Sequence, residues 1–358
     1  MRILIANWKD LAHPSAGGAE VFTEEVARAL VQRGHAVTLF AAAIAGQPAR
    51  ETVSGVEIVR RGSRLGVYRA ARRFWSEQPR GSYDIVVDEI NTRPFMTPRW
   101  IRDTPIVALI HQLAREIWFH ETPFPVSVLG RYVLEPWWLR AYRRIPAMTV
   151  SESSAESLRR HHGWKDVTVL PEGLEPYQLS QVARDPDPTV VFLGRLVAMK
   201  RPEHAVRAFA ILAERFPKAR LWMIGDGPLL VRLRDTAPPG VSYLGRISRD
   251  EALGRLARAH VLVAASVREG WGLNVSEAAA CGTPTIGYRV PGLVDSVPAS
   301  GGSLVDPNPE ALGEALIDFF EGRLRLEPRV STVAWPDVAD AVERRLEHVA
   351  TTFAQQDR

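Results

Sequence analysis

A single cysteine, Cys281, stands among 358 residues, so no disulfide can form within the chain. That count fits a reducing compartment, and the thiol is expected only to fill space. Lysine is nearly as scarce: Lys9, Lys165, Lys200 and Lys218 are the only four. The net charge of +4 arises from basic residues interleaved with acidic ones, with no Lys/Arg tail or arm, and this argues against nucleic-acid binding. Apolar runs are interrupted by Arg, Asp or Pro within about eight positions, far short of the roughly 20 residues that span a bilayer. Membrane contact is therefore expected to be peripheral at most. The opening Met1-Arg-Ile-Leu-Ile-Ala6 has a strand pattern and lacks the long apolar region and small-residue cleavage site of a secretory signal, so the expected location is the cytoplasm, at most touching the inner membrane face. No His/Cys cluster has zinc spacing.

Apolar residues are plentiful. At 46% of the chain they can fill more than one core, and the length favours two domains. In the first half, Arg2–Ala6, His35–Phe40, Val56–Val59, Tyr83–Val87, Pro105–Ile110, Ala147–Val150 and Val167–Leu170 read as strands. Ala19–Arg33 and Ser153–His161 read as helices. The expectation is one parallel α/β domain over residues 1–178. A polar, proline-bearing stretch ending in Arg184-Asp-Pro-Asp-Pro188 reads as a linker over residues 179–188. The alternation then resumes. Strands are expected at Thr189–Leu193, Arg220–Ile224, Val241–Leu244, His260–Ala264 and Pro284–Gly287. Helices are expected at Glu203–Arg215, Leu229–Asp235, Arg249–Ala259 and Val275–Ala280. A second domain over 189–337 follows, with a final helix, 338–358, that crosses back to brace the first. Val/Ile/Leu-rich strands without polar alternation point to parallel sheets covered on both faces. The fold class is thus α/β, two Rossmann-like doubly wound domains, with ligands expected beyond the carboxyl ends of the strands in a cleft between facing rims.

The densest chemistry lies in Arg268-Glu269-Gly270-Trp271-Gly272-Leu273-Asn274-Val275-Ser276-Glu277. A strand end, a glycine loop and a helix start place unsatisfied backbone N–H groups where a phosphate can meet them, favoured further by the helix dipole. Glu277 is positioned to accept hydrogen bonds from a ribose diol, and Glu269 to reach hydroxyls of a sugar beyond the phosphates. A second stretch, Gly194-Arg195-Leu-Val-Ala-Met-Lys200-Arg-Pro202, delivers two cations at a strand end and just before a helix. Such cations can neutralise a departing diphosphate. Near the start, Gly17-Gly18-Ala19-Glu20 forms a glycine turn into a helix, and His111 follows an apolar strand.

Together these elements resemble the retaining glycosyltransferases of family four, which share the two-domain GT-B architecture, and the resemblance covers nearly the whole chain. Glu269 and Glu277 match the family's Glu-x(7)-Glu element, with Gly-x-Gly-Leu between them. Gly194, Arg195, Leu196 and Lys200 match its Gly-Arg-Leu and following lysine. The resemblance implies that Arg195 and Lys200 bind the donor diphosphate. It implies that Gly17 and Gly18 bring backbone to the donor phosphate from the opposite domain, and that His111 lies near the donor sugar. Gly194, Gly270, Trp271, Gly272, Leu273 and Asn274 are expected to line the donor site, and backbone atoms at Arg246 and Ile247 to meet the base edge. Catalytic contributions are expected from Glu269, Arg195, Lys200 and His111. The family commonly has Asn-Gly where this chain has Glu172-Gly173, a departure that alters the hydrogen bonding expected there.

No cofactor is implied; the donor is a UDP- or GDP-linked sugar used as substrate. Asp185-Pro-Asp187 has the Asp-x-Asp form of a metal site, but in a linker it is set aside, and a metal-free mechanism with retention of anomeric configuration is expected. The acceptor is open between a soluble sugar, a lipid-linked sugar and a natural-product aglycone, with candidate contacts in Trp8–Gly18, Asp88–Phe95 and an aromatic, basic stretch from Arg115 to Ala147. That stretch can touch lipid or an acceptor sugar, or can pack helices with arginine ends reaching water. Competing readings are a GT-B epimerase or sugar phosphorylase, and a non-catalytic nucleotide-binding scaffold.

Overall fold

The computed structural model describes residues 1–175 and 182–356, so residues 179–181 of the expected linker lie outside it. Two compact units emerge. One combines Met1–Arg115 and Leu129–Gly173 with the chain from Val333 onward, and the other combines Glu116–Val128 with Leu174–Thr332. Two places differ from the sequence expectation. The segment Glu116–Val128 joins the second unit because Glu121 Oε1 accepts a 2.9 Å hydrogen bond from the Met199 N–H and Glu116 Oε2 lies 3.1 Å from the Arg268 guanidinium. The return to the first unit comes at Val333, before position 338, because the last helix already begins at Trp335, whose side chain is buried.

In the first unit the elements are β1 (Arg2–Ala6), α1 (Gly18–Gln32), β2 (Ala36–Ala41), β3 (Arg50–Val53), β4 (Val56–Arg60), α2 (Val67–Ser76), β5 (Ile85–Glu89) and β6 (Ile106–Leu109). The chain then forms the short helices α3 (Ile117–Glu121), which belongs to the second unit, α4 (Val126–Leu129), where the units meet in sequence, and α5 (Glu135–Arg140). The first unit resumes with α5, β7 (Ala147–Thr149), α6 (Glu152–His162) and β8 (Val167–Val169). Sheet order is β3-β4-β2-β1-β5-β6-β7-β8. The expectation of a purely parallel sheet is corrected at the edge. β3 pairs antiparallel with β4 through the two-residue turn Ser54-Gly55, a connection only an antiparallel pair allows. Chain order reverses direction on the two sides of β1, since β2 lies on one side and β5 on the other. Their carboxyl ends carry Asn7, Lys9 and Glu89, and a crevice at such a reversal is where ligands of doubly wound sheets bind.

The second unit continues with β9 (Thr189–Leu193), α7 (Pro202–Arg215), β10 (Arg220–Ile224), α8 (Leu230–Asp235), β11 (Val241–Gly245), α9 (Arg249–Arg258) and β12 (Val261–Ala264). It ends with α10 (Leu273–Ala280), β13 (Thr285–Tyr288), α11 (Leu293–Ala299), β14 (Ser303–Val305) and α12 (Pro309–Phe320). All its strands are parallel, in the order β11-β10-β9-β12-β13-β14, with the reversal at β9. Val190, Val191, Leu221, Met223, Leu262 and Val263 are buried on both sheet faces, which explains strands without polar alternation. Arg184 anchors the incoming chain on the Thr283 hydroxyl at 2.6 Å. Asp185 and Asp187 are ion-paired with Arg258 at 3.5 Å and Arg220 at 2.6 Å.

The last helix, α13 (Trp335–Gln356), belongs to the first unit. Asp337 accepts the Ala334 N–H at 3.0 Å and so caps the helix ahead of its apolar stripe. Val338, Val342, Leu346 and Val349 form the stripe, at helical spacing, and all are buried. At its polar edge Glu343 receives Arg33 and His35, each at 2.6 Å, from the end of α1.

The aromatic stretch divides. Tyr142 is fully buried and donates its hydroxyl to Asp88, whereas Phe124, Tyr132 and Trp137 are exposed. Asp88, itself fully buried, also accepts from the Thr97 hydroxyl at 2.6 Å and from the N–H groups of Phe95 and Thr97 at 3.3 Å each. It holds its loop in place. Burial outweighs these bonds and raises its pKa. Tyr142→Phe removes one donor from this buried carboxylate and is expected to cost about 1–3 kcal/mol of stability. Differential scanning calorimetry at matched pH reads the change.

Candidate functional site

In the second unit, the chain leaves β9 at Gly194, and Arg195 stands exposed with no ion pair among the described residues. A short 3-10 turn, Ala198–Lys200, precedes α7. The turn is fixed to the neighbouring strand end by the Val267 N–H donating to the Met199 carbonyl at 2.8 Å. That brings Lys200 Nζ onto the Glu269 carboxylate, which also accepts the Ser266 hydroxyl at 2.5 Å. Glu269 is buried and Lys200 partly so. The Glu269 N–H donates to the Pro291 carbonyl at 3.0 Å, and the following Gly292 approaches so closely that a methyl group on it would stand 2.3 Å from the Glu269 carbonyl oxygen. The backbone of Glu269 is thus fixed from the far side by a segment, Arg289–Gly292, that the sequence reading passed over.

Gly272 is the N-cap of α10, and the Asn274 side-chain amide, in its first turn, donates to the Leu193 carbonyl at 2.9 Å. This bond places the free amides at the helix start next to Gly194 and Arg195. Four sequence-selected groups, Arg195, Lys200, Glu269 and the Gly272–Asn274 amides, therefore belong to one rim, at the carboxyl ends of β9 and β12. An anion there meets two cations and a helix N-terminus together. Trp271 donates its indole N–H to the Ser276 hydroxyl at 2.9 Å, so its ring serves to pin the loop. Glu277, further along α10, lies 3.5 Å from Arg249 of α9. Burial raises its pKa against the pull of Arg249, with Glu175 adding to the rise. Arg246 is exposed and Ile247 half-buried just after β11, on the opposite side of β10 from β9. Ser266, Arg249 and Gly292 were missed; Ser266, three residues before Glu269 at the same strand end, carried the one readable signal.

In the first unit, Gly17 is the N-cap of α1, and its N–H donates to Glu20 Oε2 at 2.7 Å. Lys9 lies 3.2 Å from the same carboxylate, so the Gly17-Gly18 turn is tied to the end of β1. His111, just beyond β6, is buried, with Nε2 3.5 Å from Glu89 Oε1. Ser151, at the end of β7, caps α6 by accepting the Ser154 N–H at 3.3 Å. Glu172 is buried, and burial pushes its pKa up to about 7 against the opposing charge of His111. Glu20 and Glu89 were visible only as parts of motifs, and their convergence on one histidine depends on strand order.

Among the described residues no helix is long and apolar enough to cross a membrane. Residues 16–177 match the family described as Glycosyltransferase Family 4, and residues 177–332 match Glycosyl transferases group 1. A D-inositol 3-phosphate glycosyltransferase of Nocardiopsis dassonvillei is 30% identical over 334 residues, covering 79% of this chain and 76% of that protein. A GDP-mannose-dependent phosphatidylinositol dimannoside mannosyltransferase of Mycobacterium tuberculosis is 36% identical over 129 residues, a match spanning 36% of this chain and 34% of that protein. The sucrose-phosphate synthase of Thermosynechococcus elongatus superposes with a TM-score of 0.73 at 18% identity, over 100% of this chain and 98% of that one. At that identity the likeness is one of fold.

Proposed function

Because the chain belongs to glycosyltransferase family 4 and has the GT-B fold class, we propose that it moves a sugar from a UDP- or GDP-linked donor to an acceptor hydroxyl with retention and without a metal. The observation that carries the reading is the shared rim of Lys200, Glu269 and the start of α10. In this reading the diphosphate lies on the amides at Gly272–Asn274, with Arg195 and Lys200 balancing its charge. Glu277 takes the ribose diol, Glu269 takes donor-sugar hydroxyls, and backbone at Arg246 and Ile247 meets the base. Gly17 and Gly18 contribute phosphate contacts and His111 a sugar contact from the first unit.

Cleavage of the anomeric C–O bond sends its electron pair to the diphosphate, so the step is assisted where negative charge grows. Two cations and aligned amides supply the charge that a divalent ion supplies in metal-dependent transferases. The acceptor oxygen attacks from the face the leaving group vacates, and the departing phosphate oxygen accepts its proton, which leaves no protein nucleophile to find. Relatives named for inositol phosphate and phosphatidylinositol mannosides make inositol-ring acceptors the first to try.

Isothermal titration with UDP, GDP and their sugars tests the donor site. One nucleotide is expected to bind with chelator present, and Arg195→Ala to weaken it about 10- to 100-fold, as the loss of one charge-assisted contact requires. Proton NMR of the product's anomeric signal reads retention. Equal binding by parent and Arg195→Ala, or turnover of donor without acceptor, would overturn the reading.

A further inference from the structure

His111 is enclosed by acids drawn from three elements. Glu89 ends β5, Glu20 lies in the first turn of α1, and Glu172 follows β8; each raises the stability of a positive imidazole ring. Of these, Glu89 is the one in ion-pair range, at 3.5 Å from Nε2. Its other oxygen accepts the Thr23 hydroxyl at 2.6 Å, which fixes the carboxylate. The ring is fixed too, by Phe22, whose plane is nearly perpendicular to it at 5.2 Å between centroids. Glu20 already has Lys9 at 3.2 Å to balance its charge, whereas for Glu89, 1% exposed, the cationic partner within ion-pair range among the described residues is His111. A neutral His111 would leave Glu89 as an uncompensated buried anion, a state that folded proteins avoid by moving a proton. Burial alone would lower the histidine pKa; the hydrogen-bonding and charge of Glu89, with Glu172 and Glu20 behind it, outweigh burial and raise it.

We propose that Glu89 is a positioning residue that holds His111 as an imidazolium, so that the ring serves its site as a hydrogen-bond donor and positive charge and not as a base. The inference rests on the glycosyltransferase reading for its purpose, since a permanent cation beside a sugar hydroxyl orients it and opposes negative charge. With Nε2 turned to Glu89 Oε1 at 3.5 Å and neither atom given another hydrogen-bond partner among the described residues, Nδ1 is the nitrogen left to serve a substrate. A sugar hydroxyl suits it because a hydroxyl accepts from a cationic ring and still donates elsewhere. A phosphate or carboxylate would meet three glutamates.

The decisive measurement is nitrogen-15 NMR of histidine-labelled full-length protein across pH, with the His111 signal assigned by its loss in His111→Asn. In the parent, His111 is expected to titrate above the ordinary imidazole value of about 6.5, with both nitrogens showing imidazolium shifts at pH 7. In Glu89→Gln the amide can keep the Thr23 bond through its oxygen and donate to Nε2, which favours the neutral ring, so the titration is expected to fall below the parent's. Glu89→Asp, which keeps the charge at greater reach, is expected to recover part of the difference. A parent His111 that is neutral at pH 7, with the proton on Glu89, overturns the proposal, as does a titration unmoved by Glu89→Gln. These outcomes need no turnover, so they stand apart from the test of transferase activity. Where turnover is found, the alkaline fall of kcat/KM is expected to begin at lower pH in Glu89→Gln, so that on the alkaline side the variant falls behind the parent by up to about tenfold for every pH unit the limb moves. An unmoved alkaline limb overturns the role assigned to the charge.

Discussion

Lys200→Ala is expected to lower kcat by about 100- to 1,000-fold, the range seen when one preorganised group facing developing charge is removed. The side chain is doubly placed. Its turn is fastened to the end of β12 by the Val267–Met199 bond, and its ammonium rests on Glu269. In the unliganded site, that contact keeps a buried carboxylate compensated; in the proposed complex it shares the lysine with a diphosphate whose charge grows as the sugar leaves. Removing the ammonium therefore has two effects, and they are separable. The leaving group loses a counter-charge, which appears in kcat. Glu269 loses its counter-charge and keeps, among the described residues, the Ser266 hydroxyl at 2.5 Å, a loss that appears as lower thermal stability. Glu269→Gln gives the complementary cut: the lysine persists, the diphosphate still binds, and the loss falls on the sugar contact. Nucleotide diphosphate affinity should thus drop in Lys200→Ala and hold in Glu269→Gln, with kcat low in both. Equal nucleotide affinity in the two variants would show that Lys200 serves Glu269 alone.

The parts legible in the sequence were those with local physics. In the second unit the strand expectations fell within a residue or two of β9 to β13, because Val/Ile/Leu runs covered on both faces announce themselves without regard to neighbours. The start of α10 was readable from Gly272 and the carboxylates around it. What escaped depends on distance in space. β14, Ser303–Val305, is a half-buried edge strand of only three residues, too short to show a pattern, and α12 follows it from Pro309. α13 starts at Trp335, capped through Asp337, and Trp335, buried three positions before Val338, is the first residue of the apolar stripe, which the sequence reading began at Val338. Asp88 and Glu89 are adjacent in sequence and looked equivalent at a strand end. Alternation sends them to opposite faces of β5, where one holds Tyr142 and the other faces His111. No spacing rule states that; the order of the sheet does.

Gly292→Ala should inactivate the protein by displacing the Glu269 backbone, although Gly292 itself is given no contact with the donor. Two penalties combine there. The residue has φ +84° and ψ −53°, a sparsely populated conformation that costs an L-residue about 1–3 kcal/mol. The new methyl would also stand 2.3 Å from the Glu269 carbonyl oxygen and 2.6 Å from its carbonyl carbon, and backbone so placed cannot rotate aside as a side-chain tip does. Either the Pro291–Gly292 turn or Glu269 must shift, and the Glu269 N–H bond to Pro291 ties the two together. The expected result is a fall in kcat of about 100-fold or more, since displacements near 1 Å at a positioned group cost that much. Gly322→Ala isolates the first penalty: φ there is +76°, and a methyl group would meet nothing within 4 Å. That variant should lose about 1–2 kcal/mol in denaturant unfolding and keep its kcat. If both variants lose stability equally and neither loses turnover, the close approach of Gly292 does not set the position of Glu269.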